Sequence, residues 1–203
     1  MLSVGFDLDM TLADTRQGIA AAYRALSAAT GTYVDDQLVV SRLGPPLRHE
    51  MRNWFPADEV ESAVTTFRAL YETHAIEPTL LLPGAREAVD AVHARGGRVV
   101  VVTSKHERLA ALHLAHLGLP VDVLVGDLFA AGKAAALTAN DCHLYVGDHV
   151  ADMIAARTAG IPGVGVTSGP CSADDLRAHG AAVVLEDLGG FPAALPGLLR
   201  LAL

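Results

Sequence analysis

The stretch VGFDLDMTLADT, Val4 to Thr15, decides how the chain is read. It is an apolar run that carries two aspartates, Asp7 and Asp9, two residues apart, with Asp14 close behind. Carboxylates resist burial and repel each other. Two of them at the end of a first strand therefore need a counter-charge or a proton. If the segment is still extended there, the spacing of two puts both on one face.

Beyond this stretch the texture changes. From about Asp14 to Leu82 the periodicity is helical with little strand signal. IAAAYRALSAAT predicts an amphipathic helix ended by Gly31, and DEVESAVTTFRALYETHAI another stopped by Pro78. Between them LGPPLRHEM breaks the pattern at Gly44, Pro45 and Pro46. LLPGAREAVDAVHARGG starts a helix at a Pro-Gly turn and ends at a Gly pair. Regular alternation follows. RVVVVT, VDVLVG, CHLYVGD, GVGV and AAVVL read as strands, separated by helical segments, and FPAALPGLLRLAL as a final helix.

Continuous β-branched runs suit strands buried on both faces, and β-α alternation predicts a Rossmann-like parallel α/β sheet with helices on either side. The sheet starts at the first strand, pauses and resumes. Residues 15–82 are therefore expected to form an α-helical cap inserted into a core of residues 1–14 and 83–203. Open parallel sheets bind ligands at the carboxyl ends of their strands, so a cap on the first loop would cover the ligand.

The 203 residues suffice for one domain with an insertion or two small ones, and 51% apolar composition allows a large core. With 15 basic against 23 acidic residues the net charge is −8, which disfavours nucleic-acid or anionic-membrane partners. Cys142 and Cys171 lie outside any CxxC or Cys/His pattern and read as free thiols. No secretion signal and no apolar stretch near the ~20 residues of a membrane helix is visible, so the expected location is the cytoplasm. The nine histidines form no HxH or HExxH pattern, and His106, His113 and His116 are expected to form a surface stripe. Trp54 and Phe55 read as cap core.

Four apolar strands end in polar groups: Asp7 to Thr11, then Thr103 and Ser104, then Lys133 opening a helix, then Asp148 with Asp152 one turn later. Parallel topology brings these ends to one edge. A carboxylate cluster there calls for a hard cation such as magnesium, with Asp7 and Asp148 as direct ligands and Asp152 direct or through water. Lys133 and Thr103 would face an anion. Carboxylates, metal, lysine and hydroxyl together suit phosphoryl transfer.

DLDMT, VVVVTS, Lys133 and YVGDHVAD occur in the order of the four motifs of the haloacid dehalogenase superfamily. The chain resembles its phosphatases, in the phosphoglycolate phosphatase and β-phosphoglucomutase branch. The resemblance implies a Mg2+-dependent phosphomonoester hydrolase acting on a small phosphorylated metabolite. Asp7 would be the nucleophile that forms an aspartyl-phosphate, and Asp9 the general acid/base. Thr11 would steady the loop. The phosphate would be held by Leu8, Asp9, Thr103, Ser104 and Lys133, and the metal by Asp7, the Asp9 carbonyl, Asp148 and Asp152. Within the cap, Arg16, Gly44, Pro45, Arg48 and His49 are candidates to meet the leaving group.

The chain departs from that branch at several positions. Met10 stands where Gly is frequent and Ser104 where Asn is common. Lys133 is not followed by Pro, and His149 replaces a small hydroxyl residue. A phosphomutase remains an alternative, as does a non-catalytic binding or regulatory protein of the same fold. A phosphonatase is disfavoured because residues 14–82 contain no lysine. The partner expected is a small phosphate ester, with the chain a monomer or homodimer.

Overall fold

A computed structural model describes residues 1–201. The chain begins with β1 (Ser3–Phe6) and the two-residue β2 (Ala13–Asp14), then runs through helices α1 (Arg16–Thr30), α2 (Asp36–Val40), α3 (Leu47–Met51) and α4 (Val60–His74). It returns through β3 (Leu80–Leu81) and α5 (Ala85–His93). Alternation follows: β4 (Arg98–Val102), α6 (Glu107–Leu117), β5 (Val123–Val125), α7 (Ala131–Ala139), β6 (Leu144–Gly147), α8 (Val150–Thr158), β7 (Gly163–Val166), α9 (Ala173–Ala178) and β8 (Ala181–Leu185). A 3-10 turn at Leu188–Gly190 leads into α10 (Phe191–Leu201); the last two residues of the expected final helix lie outside the described residues.

Six strands form one parallel sheet in the order β5-β4-β1-β6-β7-β8. The first strand is central. Val4 and Phe6 of β1 and Val99 and Val101 of β4 bury into one face, against α5 and α10. Val100 and Val102 bury into the other, with Tyr145 and the α7 and α8 alanines. That period-2 division of a continuous valine run is what a sheet covered on both sides requires. The chain steps from β1 outward to β5, then jumps back past β1 to β6. The strand order therefore reverses at β1, and the crevice lies at its carboxyl end.

Helices α1 to α4 gather a second apolar cluster around Tyr23, Leu26, Met51, Phe55 and Phe67. The Tyr23 and Phe67 rings sit 4.5 Å apart. Gly18 lets α1 press against the end of α4: a Cβ there would collide with the Ala75 carbonyl oxygen. Phe55 belongs to this core and Trp54 packs against it. The interval from Asp14 to Leu82 is not wholly helical. Strands β2 and β3 pair antiparallel, Ala13 opposite Leu81 and Asp14 opposite Leu80. This ribbon ties the chain's exit from the sheet to its return, and two residues are too short for alternation to show in a sequence.

Nor does the Gly44-Pro45-Pro46 segment lead only into loop, since α3 starts immediately after Pro46. His113 is not on the surface; it is fully buried between α6 and α4, its Nε2 3.0 Å from the Tyr71 hydroxyl. Among the described residues no helix is long and apolar enough to cross a membrane.

Candidate active site

The residue after β1 is Asp7, whose N–H still donates to the Val146 carbonyl of the neighbouring strand at 2.8 Å. The chain then coils into a tight turn. The Leu8 carbonyl accepts the N–H groups of Thr11, Leu12 and Ala13, and Met10 takes φ 59°. A left-handed residue is the reason glycine suits this position. Met10 tolerates it because its side chain is 2% exposed and the Ser168 hydroxyl donates to its carbonyl at 2.5 Å.

Parallel register brings β4 and β6 level with this turn. Thr103 follows β4, Asp148 follows β6, and both are buried. Asp152 sits in the first turn of α8, where a Cβ on Gly147 would collide with its Oδ2, so that carboxylate occupies space only glycine leaves free. Lys133, in the first turn of α7, donates to Asp152 Oδ1 at 2.7 Å and lies 3.1 Å from Asp7 Oδ1. The second contact is close but misaligned: Asp7 Oδ1 is buried with no hydrogen-bond partner. Thr11 donates to Asp148 Oδ1 at 2.9 Å. Asp148 Oδ2 lies against Gly169, where a Cβ would overlap it.

The three carboxylates of Asp7, Asp148 and Asp152 each offer an oxygen within 4.8 Å of the others. Burial pushes Asp7 up to about 6; Lys133 opposes this, and Asp152 and Asp9 add to it. Burial, with Asp152 and Asp7 beside it, pushes Asp148 well above the usual carboxylate range. Lys133 is held charged against its own burial by Asp152 and Asp7. One ammonium is thus set among three buried carboxylates, and an oxygen is left without a donor. That donor set fits a hard divalent cation such as magnesium.

Asp9 is held apart from this group. Its Oδ1 accepts from Thr15 at 2.7 Å and lies 2.8 Å from Lys105 Nζ. Burial would raise its pKa, but Lys105 and then His113 outweigh it, and the carboxyl is lowered. Lys105 in turn donates to the Tyr71 hydroxyl of α4 at 2.6 Å. Lys105 lies outside the four motifs, although a signal for it was available: the chain has only two lysines, Lys105 and Lys133. Each is buried against one of the two leading aspartates.

A cavity of ≈ 110 Å³ lies over these groups. Asp7, Asp9 and Asp148 line its floor with Ser104, and Gly44 and Pro45 line its roof. The Ser104 hydroxyl donates to the Gly44 carbonyl at 3.2 Å, so it links core to roof. His149 packs its ring against Gly44, and its Nδ1 accepts the Ala151 N–H at 3.1 Å. The imidazole thereby caps α8 as a small hydroxyl residue would, and burial lowers its pKa in keeping with an accepting nitrogen.

Arg16, Arg48 and His49 do not line the cavity. Arg16 pairs with Asp14 at 2.6 Å and Arg48 with Glu61, both largely exposed. Asp14 accepts the Arg16 N–H rather than serving as the N-cap of α1, which is Thr15. The cavity wall includes Arg42, Arg68, Tyr71 and Lys105, which the sequence did not single out, and His106, which faces this cavity with its Nδ1 buried instead of belonging to a surface stripe.

Known proteins bear on this geometry. The family model described as haloacid dehalogenase-like hydrolase matches residues 4–128, and a second HAD-hydrolase-like model matches 109–191. The chain is 29% identical to "Probable phosphatase IndB" of Dickeya dadantii, covering 97% of this chain and 94% of that protein. It is also 29% identical to a phosphoglycolate phosphatase of Agrobacterium fabrum, covering 94% and 90%. Among solved structures, a predicted phosphatase from Clostridium acetobutylicum superposes with a TM-score of 0.83 at 23% identity, over 97% of this chain and 99% of that one. The first model alone spans more than half the residues, and the chain belongs to the haloacid dehalogenase-like hydrolases.

Proposed function

We propose that the protein is a magnesium-dependent phosphomonoester hydrolase working through an aspartyl-phosphate on Asp7. The observation that carries this reading is Asp7 Oδ1, a buried carboxylate oxygen without a donor, beside Lys133 and within the Asp148–Asp152 cluster. Phosphoglycolate phosphatases among the relatives favour a small phosphorylated metabolite as substrate. Residues 15–82 are assigned as the cap and 1–14 with 83–203 as the core.

Asp7, Asp148 and Asp152 would hold the metal, with the Asp9 carbonyl completing the protein's share. Bound there, magnesium would neutralise phosphate charge and orient the ester. Lys133 and Thr103 would face the transferring phosphoryl oxygens, with the Leu8 and Asp9 backbone beside them. Asp7 attacks phosphorus in line with the leaving alcohol, and Asp9 gives that alcohol a proton. Asp9 Oδ1 is taken by Thr15 and Lys105, which leaves Oδ2 for this transfer. The donating step needs the protonated form, and a phosphate dianion brought into the cavity raises Asp9 toward it by like-charge repulsion. Once the alcohol departs, ionised Asp9 takes a proton from the water that hydrolyses the intermediate.

Hydrolysis of an aryl phosphate with added Mg2+ and its loss with a chelator is the expected result. A metal-replete protein that turns over neither an aryl phosphate nor any member of a phosphometabolite panel would exclude the reading.

A further inference from the structure

Four buried side-chain atoms among the described residues lack a hydrogen-bond partner: Asp7 Oδ1, Arg68 Nε, His106 Nδ1 and His113 Nδ1. The first three belong to residues that line the same cavity. The reaction proposed above accounts for Asp7. It does not account for the nitrogens of Arg68 and His106. A buried polar atom left unmet is destabilising, so a cavity walled by the Arg68 Nε–H, which can only donate, and by His106 Nδ1, which donates in one tautomer, is set to receive an acceptor.

The charges around the cavity point the same way. Arg42 is closed by Glu50 through two contacts of 2.6 and 3.0 Å. Lys105 is closed by Asp9 and Tyr71. Arg68 has only one long contact, Nη2 to Asp127 Oδ1 at 3.4 Å, and that carboxylate is 51% exposed. Asp127 also accepts the Glu107 N–H at 3.2 Å and donates its own N–H to the Lys105 carbonyl at 2.8 Å. It therefore sets the Arg68 guanidinium beside the turn that carries His106. Much of the remaining wall is apolar, from Tyr23, Val39, Leu43, Leu47 and Phe67.

We propose that Arg68 and His106 receive a second anionic group, a carboxylate or a further phosphate, carried on the hydrocarbon half of the phosphoester. A guanidinium suits such a planar or multidentate acceptor. The alcohol would lie along the apolar wall with its phosphate on the floor and its second charge at α4. This inference rests on the phosphatase reading and names the class of its substrate.

The test compares kcat/KM within matched pairs on the magnesium-loaded protein. The pairs are phosphoglycolate and ethyl phosphate, carboxyphenyl phosphate and phenyl phosphate, and glucose 1,6-bisphosphate and glucose 6-phosphate. The first two probe a carboxylate and the third a phosphate. Wild type is expected to favour the charged member of at least one pair by ~10-fold or more. Arg68→Gln should collapse that ratio through KM, His106→Ala should reduce it, and Arg68→Lys should restore part of it. Turnover with no charge preference in any pair overturns the proposal while leaving the phosphatase reading intact. So does a ratio unmoved by Arg68→Gln. An equal loss in Asp127→Asn would make Arg68 a latch between α4 and the core, and would overturn it too. Absence of all turnover would instead remove the reading on which it rests.

Discussion

Met10 shows how two local effects compete at one residue. Its φ of 59° costs a side chain ~1–2 kcal/mol, which glycine would avoid. Its burial at 2% exposure is worth ~1.5–3 kcal/mol, which glycine would lose. Packing outweighs the backbone strain, so Met10→Gly is expected to lower Tm by a few degrees. Met10→Ala loses nearly the same packing and keeps the strain. At this position glycine should therefore be no worse than alanine, the reverse of the usual order, and paired melting curves would check it. Asp7 poses a simpler question. Asp7→Asn removes the proposed nucleophile and one of three repelling carboxylates. Turnover should fall by at least ~10³-fold while the Tm of the metal-free protein holds or rises. A variant that stays active, or one that unfolds, contradicts the role given to Asp7.

Between elements, the contact of α4 with α6 carries a buried polar chain from Asp9 through Lys105 and Tyr71 to His113. Burial, with Lys105 nearby, drives His113 down to about 3 from 6.5. The unfolded chain therefore binds a proton between those values that the fold refuses. This contribution to stability is complete above pH 6.5 and is lost as pH falls toward 3, at ~1.4 kcal/mol per unit. His113→Gln can keep the bond to Tyr71 without titrating, so its Tm should decline less between pH 6.5 and 5 than wild type. Equal slopes would refute the assignment.

This layer was the least legible in the sequence. Apolar runs announce strands, and parallel topology fixes where their ends meet, so Asp7, Thr103, Lys133, Asp148 and Asp152 could be gathered in advance. Which cap arginine turns inward depends on helix phase and on which carboxylate claims it. Arg48 meets Glu61 outside and Arg68 finds only a long contact to Asp127, a difference no local pattern records. His113 looked like a surface residue because its partner lies forty-two positions away.

For the whole molecule, the proposed metal site would tie stability to the carboxylate cluster. Asp7 is raised from 3.8 to about 6 in the fold, and Asp148 is raised well above its usual range as well. A carboxyl with a raised folded pKa supports the fold below its unfolded value and withdraws that support as pH rises through its folded value. The metal-free protein thus loses stability from this cluster as pH passes from about 4 through 6, whereas the His113 contribution moves in the opposite sense. Magnesium held as proposed would bind the ionised carboxylates, so it would compete with protons below that window and relieve repulsion above it. The Tm increase on adding millimolar Mg2+ should therefore be larger at pH 7.5 than at pH 5. Taking the difference with and without metal at each pH removes the His113 slope, because that histidine titrates alike in both samples. Asp7→Asn should shrink the increase at pH 7.5. If the increase at pH 5 equals or exceeds that at pH 7.5, these carboxylates are not where the metal acts.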